Sequence, residues 1–321
     1  MINRLVSILV LALLAPAALA QGSGFPAKPL RIVHGFTPGG PVDIIARLIA
    51  AHFGESLGQQ AIVDGKPGAG GTVGAAYVAK AEPDGYTLFL MASGHATSAA
   101  LHKALPYDTA QDFTMVSMLA NSPFAIMTLP SAPYASLQDL VQKARAQPGR
   151  IDYGSGGIGS GMHLVAVLLQ ARTGTQLNHI PYKGGSSPMQ ALLAGEVPVL
   201  FSSVAGMAPQ VEAGKIRMLA VTSKTRYGPL PGVPTVAETV VPGFDVLAWY
   251  ALAGPKKLPA PVVAKLNNAA HAALKRADIA ERIRSLGATS WPTTQREAQE
   301  FLASEVTRWT KVIRDEKIAP Q

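Results

Sequence analysis

Apolar and polar positions alternate along this chain with two different periods. Runs at 30–34, 60–63, 86–91, 113–119, 124–129, 151–153, 177–181, 197–201, 216–222 and 246–252 are short and apolar, as strands are. Between them, apolar residues recur at three- and four-residue steps. Ile45, Leu48, Ile49, Phe53 and Leu57 form one such helix face. Similar patterns cover 137–146, 162–171, 188–193 and 261–275, and the glycines at 70–74 open a helix carrying Ala75, Val78 and Ala79. A long final helix at 294–315 presents Phe301, Val306, Trp309 and Ile313 for docking. Strand–helix alternation predicts an α/β fold with largely parallel sheets, which place ligand sites beyond the carboxyl ends of their strands.

Turn-forming residues interrupt the pattern at Asn121-Ser122-Pro123, at 228–234 and at Pro242-Gly243. These are the candidate crossings between domains. The predicted division joins 21–123 and 236–321 as a discontinuous first domain, with 124–235 as the second. A chain that crosses twice makes a hinge between two lobes, a common arrangement for closure on a ligand.

Residues 1–20 read as an export signal. Arg4 precedes an apolar run from Leu5 to Leu14, and Ala18-Leu19-Ala20 fits a small-x-small cleavage site before Gln21. The run is shorter than the roughly 20 residues a membrane span needs, so no membrane insertion is expected after the signal is removed. The chain has no cysteine, which excludes disulfides and thiolate chemistry and leaves stability to the core. A chain of about 300 residues can bury about 75% of its surface, which suffices. The net charge is +8, but basic residues are scattered and aromatics sparse, so no nucleic-acid partner is expected.

Glycine placement carries the candidate chemistry. Phe36-Thr37-Pro38-Gly39-Gly40-Pro41-Val42-Asp43 lies between the first strand and the first helix. Adjacent glycines let backbone approach a ligand closely, and the following helix start offers unpaired N–H groups with partial positive charge. Together these suit a carboxylate or another anion. The same segment also reads as a plain strand-to-helix turn, with Asp43 and Arg47 paired at i, i+4.

A second loop, Gly154-Ser155-Gly156-Gly157-Ile158-Gly159-Ser160-Gly161, has the same design. It matches G-x-G-x-x-G formally, yet the acidic residue expected about 20 positions later is missing, which argues against a dinucleotide. Ser160 also fits as a helix cap. Two such loops suggest a small anion held from two sides. Lys183-Gly184-Gly185, Ser202 and Ser203 after a strand, and Ser93, His95 and His163 beside glycines are further candidates, although a lone histidine of this kind is more often a core or surface residue.

No G-x-S-x-G elbow, P-loop or H-E-x-x-H pattern occurs, so no cofactor and no metal are expected. The open alternatives are a solute receptor, an exported hydrolase or isomerase using the same cleft, and a receptor-like partner of a sensor that has lost ligand binding.

The ordered set Phe36–Asp43, Pro67-Gly68-Ala69-Gly70-Gly71, Pro83-Asp84-Gly85-Tyr86-Thr87-Leu88, Tyr153-Gly154-Ser155-Gly156-Gly157, Tyr182-Lys183-Gly184-Gly185, Val233-Pro234-Thr235 and Trp249-Tyr250 resembles the Bug-type receptors of tripartite tricarboxylate transporters. The resemblance covers essentially the whole mature chain. It implies a two-lobed periplasmic binding protein of Venus-flytrap type, a monomer. It further implies that the receptor captures a small organic acid for inner-membrane permease subunits or a sensor kinase. Carried over by position, it implies a site built from Phe36, Thr37, Gly39, Gly40, Asp43, Ser93 and His95 on one side. The other side comprises Ser155, Gly156, Gly159, Ser160, His163, Lys183, Gly184, Gly185 and Ser202. This chain departs from the family pattern at Gly35, where proline is common, at Asp64-Gly65, and at Ser202, where Asp is frequent. The last departure disfavours an amino-acid ligand.

Overall fold

A computed structural model describes residues 24–102, 104–184, 186–204, 207–316 and 318. The proposed signal and Gly185 lie outside the described residues. The strands form two sheets that share one member. In the first sheet, β1 (Leu30–His34) lies parallel to β2 (Ala61–Gly65) and to β3 (Thr87–Ala92). Next to β3 runs antiparallel β9 (Leu247–Pro255), which pairs in turn with β4 (Phe113–Thr128). A short β10 (Thr289–Ser290) pairs with β4 at Asn121 and Ala120. In the second sheet, the far end of β4 lies between β7 (Val199–Ser203) and β8 (Arg217–Val221). From β7 the sheet continues in parallel to β5 (Asp152–Ser155) and β6 (Asn178–Pro181).

The two apolar runs at 113–119 and 124–129 are therefore one strand. Asn121-Ser122-Pro123 reads as a turn in sequence, but here it passes straight from one sheet into the other. Its polar groups find partners at the crossing. Ser122 Oγ bonds Ser203 Oγ at 2.8 Å, and Pro123 O accepts from Val204 N. Pro123 pairs with Leu247 of β9. The return crossing lies beside it. Thr222 exchanges backbone bonds with Phe124 and Val246, and its hydroxyl donates to Val246 O at 2.6 Å while accepting from Phe124 N at 2.9 Å. This fully buried threonine ties the outgoing strand to the incoming one.

Helices cover the sheets where periodicity predicts them, and also at 94–101, 208–212, 236–239 and 277–285, where it does not. α1 (Pro41–Leu57) buries Val42, Ile45, Ala46, Ile49, Ala50 and Phe53 as one stripe and ends at Gly58, whose left-handed φ of 70° stops it. α2 (Thr72–Ala79) and α3 (Gly94–Leu101) follow β2 and β3. α4 (Leu137–Ala146) precedes β5, and α5 (Gly161–Thr173) and α6 (Ser187–Leu193) follow β5 and β6. α7 (Ala208–Glu212) and α8 (Val236–Thr239) are short. α9 (Ala260–Lys275), α10 (Ala277–Ser285) and α11 (Gln295–Asp315) return to the first sheet.

A capping box of Thr294 and Glu297 starts α11. The helix buries Ala298, Leu302, Trp309 and Ile313. Its Glu305 carboxylate is almost buried and accepts from two indoles, Trp249 Nε1 at 3.1 Å and Trp309 Nε1 at 3.0 Å. That pins the last helix to β9, next to the crossing. Among the described residues no helix is long and apolar enough to cross a membrane.

Candidate functional site

The site lies where the two sheets' loops meet. Three strands end there, and each leads into a helix whose N-terminus faces the same narrow cleft. β1 leads through Phe36–Gly40 to α1, β3 through Ser93 to α3, and β5 through Gly156–Ser160 to α5. Gly40–Val42, Ser93-Gly94 and Ser160–Met162 all line the cleft, with Phe36, Ala92, Phe124, Ser203, Ala248 and Tyr250 as the remaining walls. Gly40 caps α1 with no side-chain bond, and Ser93 caps α3 with none, so their first N–H groups have no intrahelical acceptor. The three helix dipoles converge on one small space, which favours an anion there. The cavity has a volume of about 40 Å³. Among the described residues lining it there is no Lys, Arg, His, Asp or Glu.

The first loop is held from behind. Gly39 adopts φ 84°, which only glycine takes readily. Its N–H donates to Asp43 Oδ2 at 3.0 Å, while Arg47 Nε donates to both Asp43 oxygens at 3.0 and 3.1 Å. His34 Nε2 lies 3.2 Å from Asp43 Oδ1, and Phe36 N donates to His34 Nδ1. With Nδ1 accepting, the ring proton sits on Nε2 and points at Asp43. Asp43 is not among the residues lining the cleft, and its carboxylate clamps both ends of the loop beside it. Burial works to raise the Asp43 carboxyl, but the Arg47 and Gly39 hydrogen bonds outweigh it and hold the group below its ordinary range. Burial lowers His34, with Asp43 only partly opposing, so the ring is neutral at pH 7.

This arrangement sets one expected outcome. Asp43→Ala strands the His34 ring and the Gly39 N–H, and an unpaired buried donor costs about 1–3 kcal/mol. Denaturant unfolding of that variant should show a loss of about 2–3 kcal/mol by the same reasoning. Arg47→Ala removes a partner that is 59% exposed and should cost under about 1 kcal/mol. Equal losses in the two variants would show that Asp43 acts through the ion pair alone.

The second loop is also braced from within its own lobe. Ser160 Oγ accepts from His163 N at 3.2 Å and donates to Gly157 O at 2.7 Å, so its hydroxyl is occupied as a helix cap although the residue lines the cleft. Ser155 Oγ accepts from Gly157 N and bonds His179 Nε2 at 2.6 Å. His163 Nδ1 accepts from Gly159 N, and its ring stacks on His179 at 4.4 Å. His95 stacks on Tyr107 and bonds Thr109 O at 2.8 Å, within the first lobe's core.

Of the residues expected from sequence, Phe36, Gly40, Ser93 and Ser160 are therefore brought together at the cleft. Gly39, Asp43, Ser155, Gly156, Gly159, His95 and His163 shape the loops or the core around it. Ser202 is not among the lining residues. Strand alternation along β7 gives that position to Ser203, so the departure at Ser202 carries no argument about the ligand.

Contacts between the lobes set side chains and backbone of the first against backbone of the second. Thr37 Oγ1 donates to Gly184 O at 2.7 Å, and Thr37 N to Lys183 O at 3.3 Å. Lys183 itself is exposed, so the segment contributes its carbonyls rather than its ammonium. Across the seam, Thr97 Oγ1 donates to Gly159 O at 3.2 Å. A Cβ on Gly184 would fall 2.3 Å from the Phe36 ring, and one on Gly70 only 2.2 Å from Ile158 O. The lobes are closed on one another here, and glycine is what lets them approach.

Phe124, Met162 and Tyr250 are lining residues that sequence reasoning passes over, whereas Ser203, at the end of its strand, is read from sequence together with Ser202 as able to face the cleft. The first three sit inside apolar runs and read as core. The Trp249-Tyr250 pair in the family resemblance is the one signal that pointed toward the back wall. Among the described residues no group of three or more His, Cys, Asp or Glu side chains is placed to hold a metal ion.

A two-lobed α/β architecture with an anion-suited cleft at its seam defines a solute-binding protein. Comparison with known proteins agrees. The family model described as "Tripartite tricarboxylate transporter family receptor" matches residues 45–318. Protein BugT of Bordetella pertussis is 34% identical over 301 residues, covering 93% of this chain and 92% of BugT. The periplasmic binding protein BugD superposes with a TM-score of 0.88 at 32% identity, covering 92% of this chain and all (100%) of that one. Rpa4515 of R. palustris, solved with adipate, superposes at 0.87 with 34% identity, covering 92% of this chain and 100% of that one. This chain belongs to the tripartite tricarboxylate transporter receptor family and is a solute-binding receptor of the Bug type.

Proposed function

We propose that this receptor works in the periplasm, exported by residues 1–20, and captures a small organic acid between its lobes. It hands the acid to inner-membrane permease subunits or presents it to a sensor kinase. The observation that carries this reading is the convergence of three helix N-termini, two from one lobe and one from the other, on a single cleft. A carboxylate there completes the helix starts of both lobes at once, so it favours the closed form over the open one. The solved relative holding adipate supports the same ligand chemistry.

Phe36, Thr37, Gly39, Gly40 and Ser93 act for the first lobe, and Gly156, Gly159, Ser160 and Gly184 for the second. The lobes correspond to 21–123 with 236–321, and to 124–235. The receptor acts as a monomer, and binding proceeds without turnover.

Thermal unfolding of ligand-stripped protein across a set of organic acids and amino acids tests this. An acid at 100 times its dissociation constant adds about 2.7 kcal/mol, which raises the midpoint by several degrees. Conversion of the acid to a product would replace the receptor reading with an exported enzyme. A flat response to every acid would leave a protein that meets only a sensor.

A further inference from the structure

Three imidazoles gather at the seam between the lobes. His102 follows α3 of the first lobe and lies against Gly159 of the second, where an added Cβ would fall 2.4 Å from its Nε2. Gly159 is held from both sides. Its carbonyl accepts from Thr97 Oγ1 across the seam at 3.2 Å, and its N–H donates to His163 Nδ1 within its own lobe at 3.3 Å. His163 stacks in turn on His179, whose Nε2 bonds Ser155 Oγ. The second glycine loop is thus set between histidines of both lobes.

Neither His102 nor His163 has a place for a second proton. His102 Nε2 is buried and has no hydrogen-bond partner among the described residues, so a charge there meets nothing. On His163 the added proton would go to Nδ1, the atom that accepts from Gly159 N. His163 also lies in the first turn of α5, where the helix dipole disfavours a cation.

The groups that act on this cluster are imidazoles. Burial lowers His102, and no charged side chain among the described residues opposes it. Burial lowers His163 to about 3, helped by positive charge on His179 and His102. On α3 itself, His95 is bonded to Thr109 O. Of the helices packed on α3, α2 brings only Tyr77. α11 directs its one buried carboxylate, Glu305, to two indoles and Arg308, and its other charged residues are exposed.

Opening the lobes exposes His102 to water and returns it to an ordinary value near 6.5. Protons therefore bind the open form better than the closed one. The closed form is favoured above about pH 6.5 and progressively less below it. We propose that His102 makes lobe closure pH-dependent, so that mild acidity opens the receptor and releases the organic anion. The proposal rests on the organic-acid reading above and adds the regulation of that site.

Small-angle scattering of ligand-stripped protein at pH 7.5 and pH 5.5 tests it with no ligand present. One proton of ordinary affinity shifts the open-to-closed ratio by up to about tenfold over that range. The radius of gyration of the wild type should therefore rise on acidification. His102→Gln and His102→Asn, both neutral, should keep one radius at both pH values, with near-ultraviolet circular dichroism showing that they are folded. An unchanged wild type, or equal expansion in the variants, overturns the proposal and leaves the receptor reading intact.

Calorimetric titration with adipate, the acid held by a solved relative, gives a second readout. The ratio of dissociation constants, wild type over His102→Gln, cancels the titration of adipate itself. It should rise by up to about tenfold from pH 7.5 to pH 5.5. A flat or falling ratio overturns the proposal. Failure of adipate to bind either protein would count against the ligand reading, while the scattering still decides the role of His102.

Discussion

Gly94→Ala should leave a folded protein that captures its ligand about 10- to 100-fold more weakly. Gly94 is the first residue of α3, and its φ lies outside the left-handed region, so the substitution is conformationally permitted. A Cβ added there meets three atoms at 2.9 Å, namely Gly159 O, Gly161 N and the Ser160 Cα. All three are backbone of the other lobe, at the start of α5, and cannot rotate away. Overpacking against rigid neighbours costs about 1–3 kcal/mol, and each 1.4 kcal/mol is about tenfold in affinity. The cost falls on the closed form alone, since opening the lobes separates these atoms. Unfolding stability without ligand should therefore stay level or rise slightly, as alanine favours helix over glycine. Gly54→Ala, in α1 with nothing within 4 Å, is the neutral control. Calorimetric titration beside thermal melting reads both effects. Full affinity in Gly94→Ala would mean that the ligand is held without this approach of α3 to α5.

Acid should destabilise the protein well before its carboxylates protonate. His95, His163 and His179 are pushed down to about 4, about 3 and about 4, in each case chiefly by burial. Their folded values lie below that of the unfolded chain, near 6.5. The unfolded chain therefore takes up protons first as the pH falls. The stability that neutral rings contribute is fully present above pH 6.5 and is lost progressively toward pH 4 and below. At pH 4.5 each ring can contribute up to about 2–3 kcal/mol of loss, at about 1.4 kcal/mol per pH unit. Protons on the stacked His163 and His179 rings repel each other, so the pair resists charging as a unit.

With the three rings together contributing up to about 6–9 kcal/mol, the midpoint of thermal unfolding should fall by up to about 12–18 °C between pH 7 and pH 4.5, at about 2 °C per kcal/mol for a chain of this size. His163→Asn keeps an acceptor for Gly159 N and removes one titrating ring, so its pH profile should be flatter. Parallel profiles for the two proteins would rule out the buried histidines as the cause. Carboxyls that are held low, such as Asp43 and Asp112, add their own loss only below about pH 4, which keeps the two effects apart.

Much of the fold is legible in the sequence because sheet and helix periods differ and the glycine loops punctuate them. Misreadings fall where polarity serves the crossing. Asn121-Ser122-Pro123 has turn composition, yet β4 runs through it because Ser122 and Pro123 find partners on β7 and in the loop after it. α3 escapes periodicity because Gly-His-Ala-Thr-Ser-Ala-Ala-Leu has one large apolar residue, although it buries most of its length. The glycine-loop part of the candidate site is readable, since a glycine loop before a helix start is a local feature. Its walls are not, because Phe124, Met162 and Tyr250 are placed by contacts between distant segments. The choice of Ser203 over Ser202 depends on strand register. Asp43 shows the same limit: sequence marks it as interesting, and only geometry shows its carboxylate bonded to Gly39 N, Arg47 and His34.

β4 belongs to both lobes without a break, and this decides how the receptor can move. No flexible tether joins the lobes at this crossing, so opening must be absorbed as added or released strand twist. The ladder already departs from regular register between Met115 and Ser117, between Met118 and Ala120, and between Ile126 and Met127. Irregular points of that kind bend and twist more readily than ideal ladder. The crossing thus behaves as a torsion bar anchored in a sheet at each end, with Thr222 as its collar. Its rest angle is a property of the strand itself, and a bound acid acts as a load that shifts the angle rather than as a key that releases a catch.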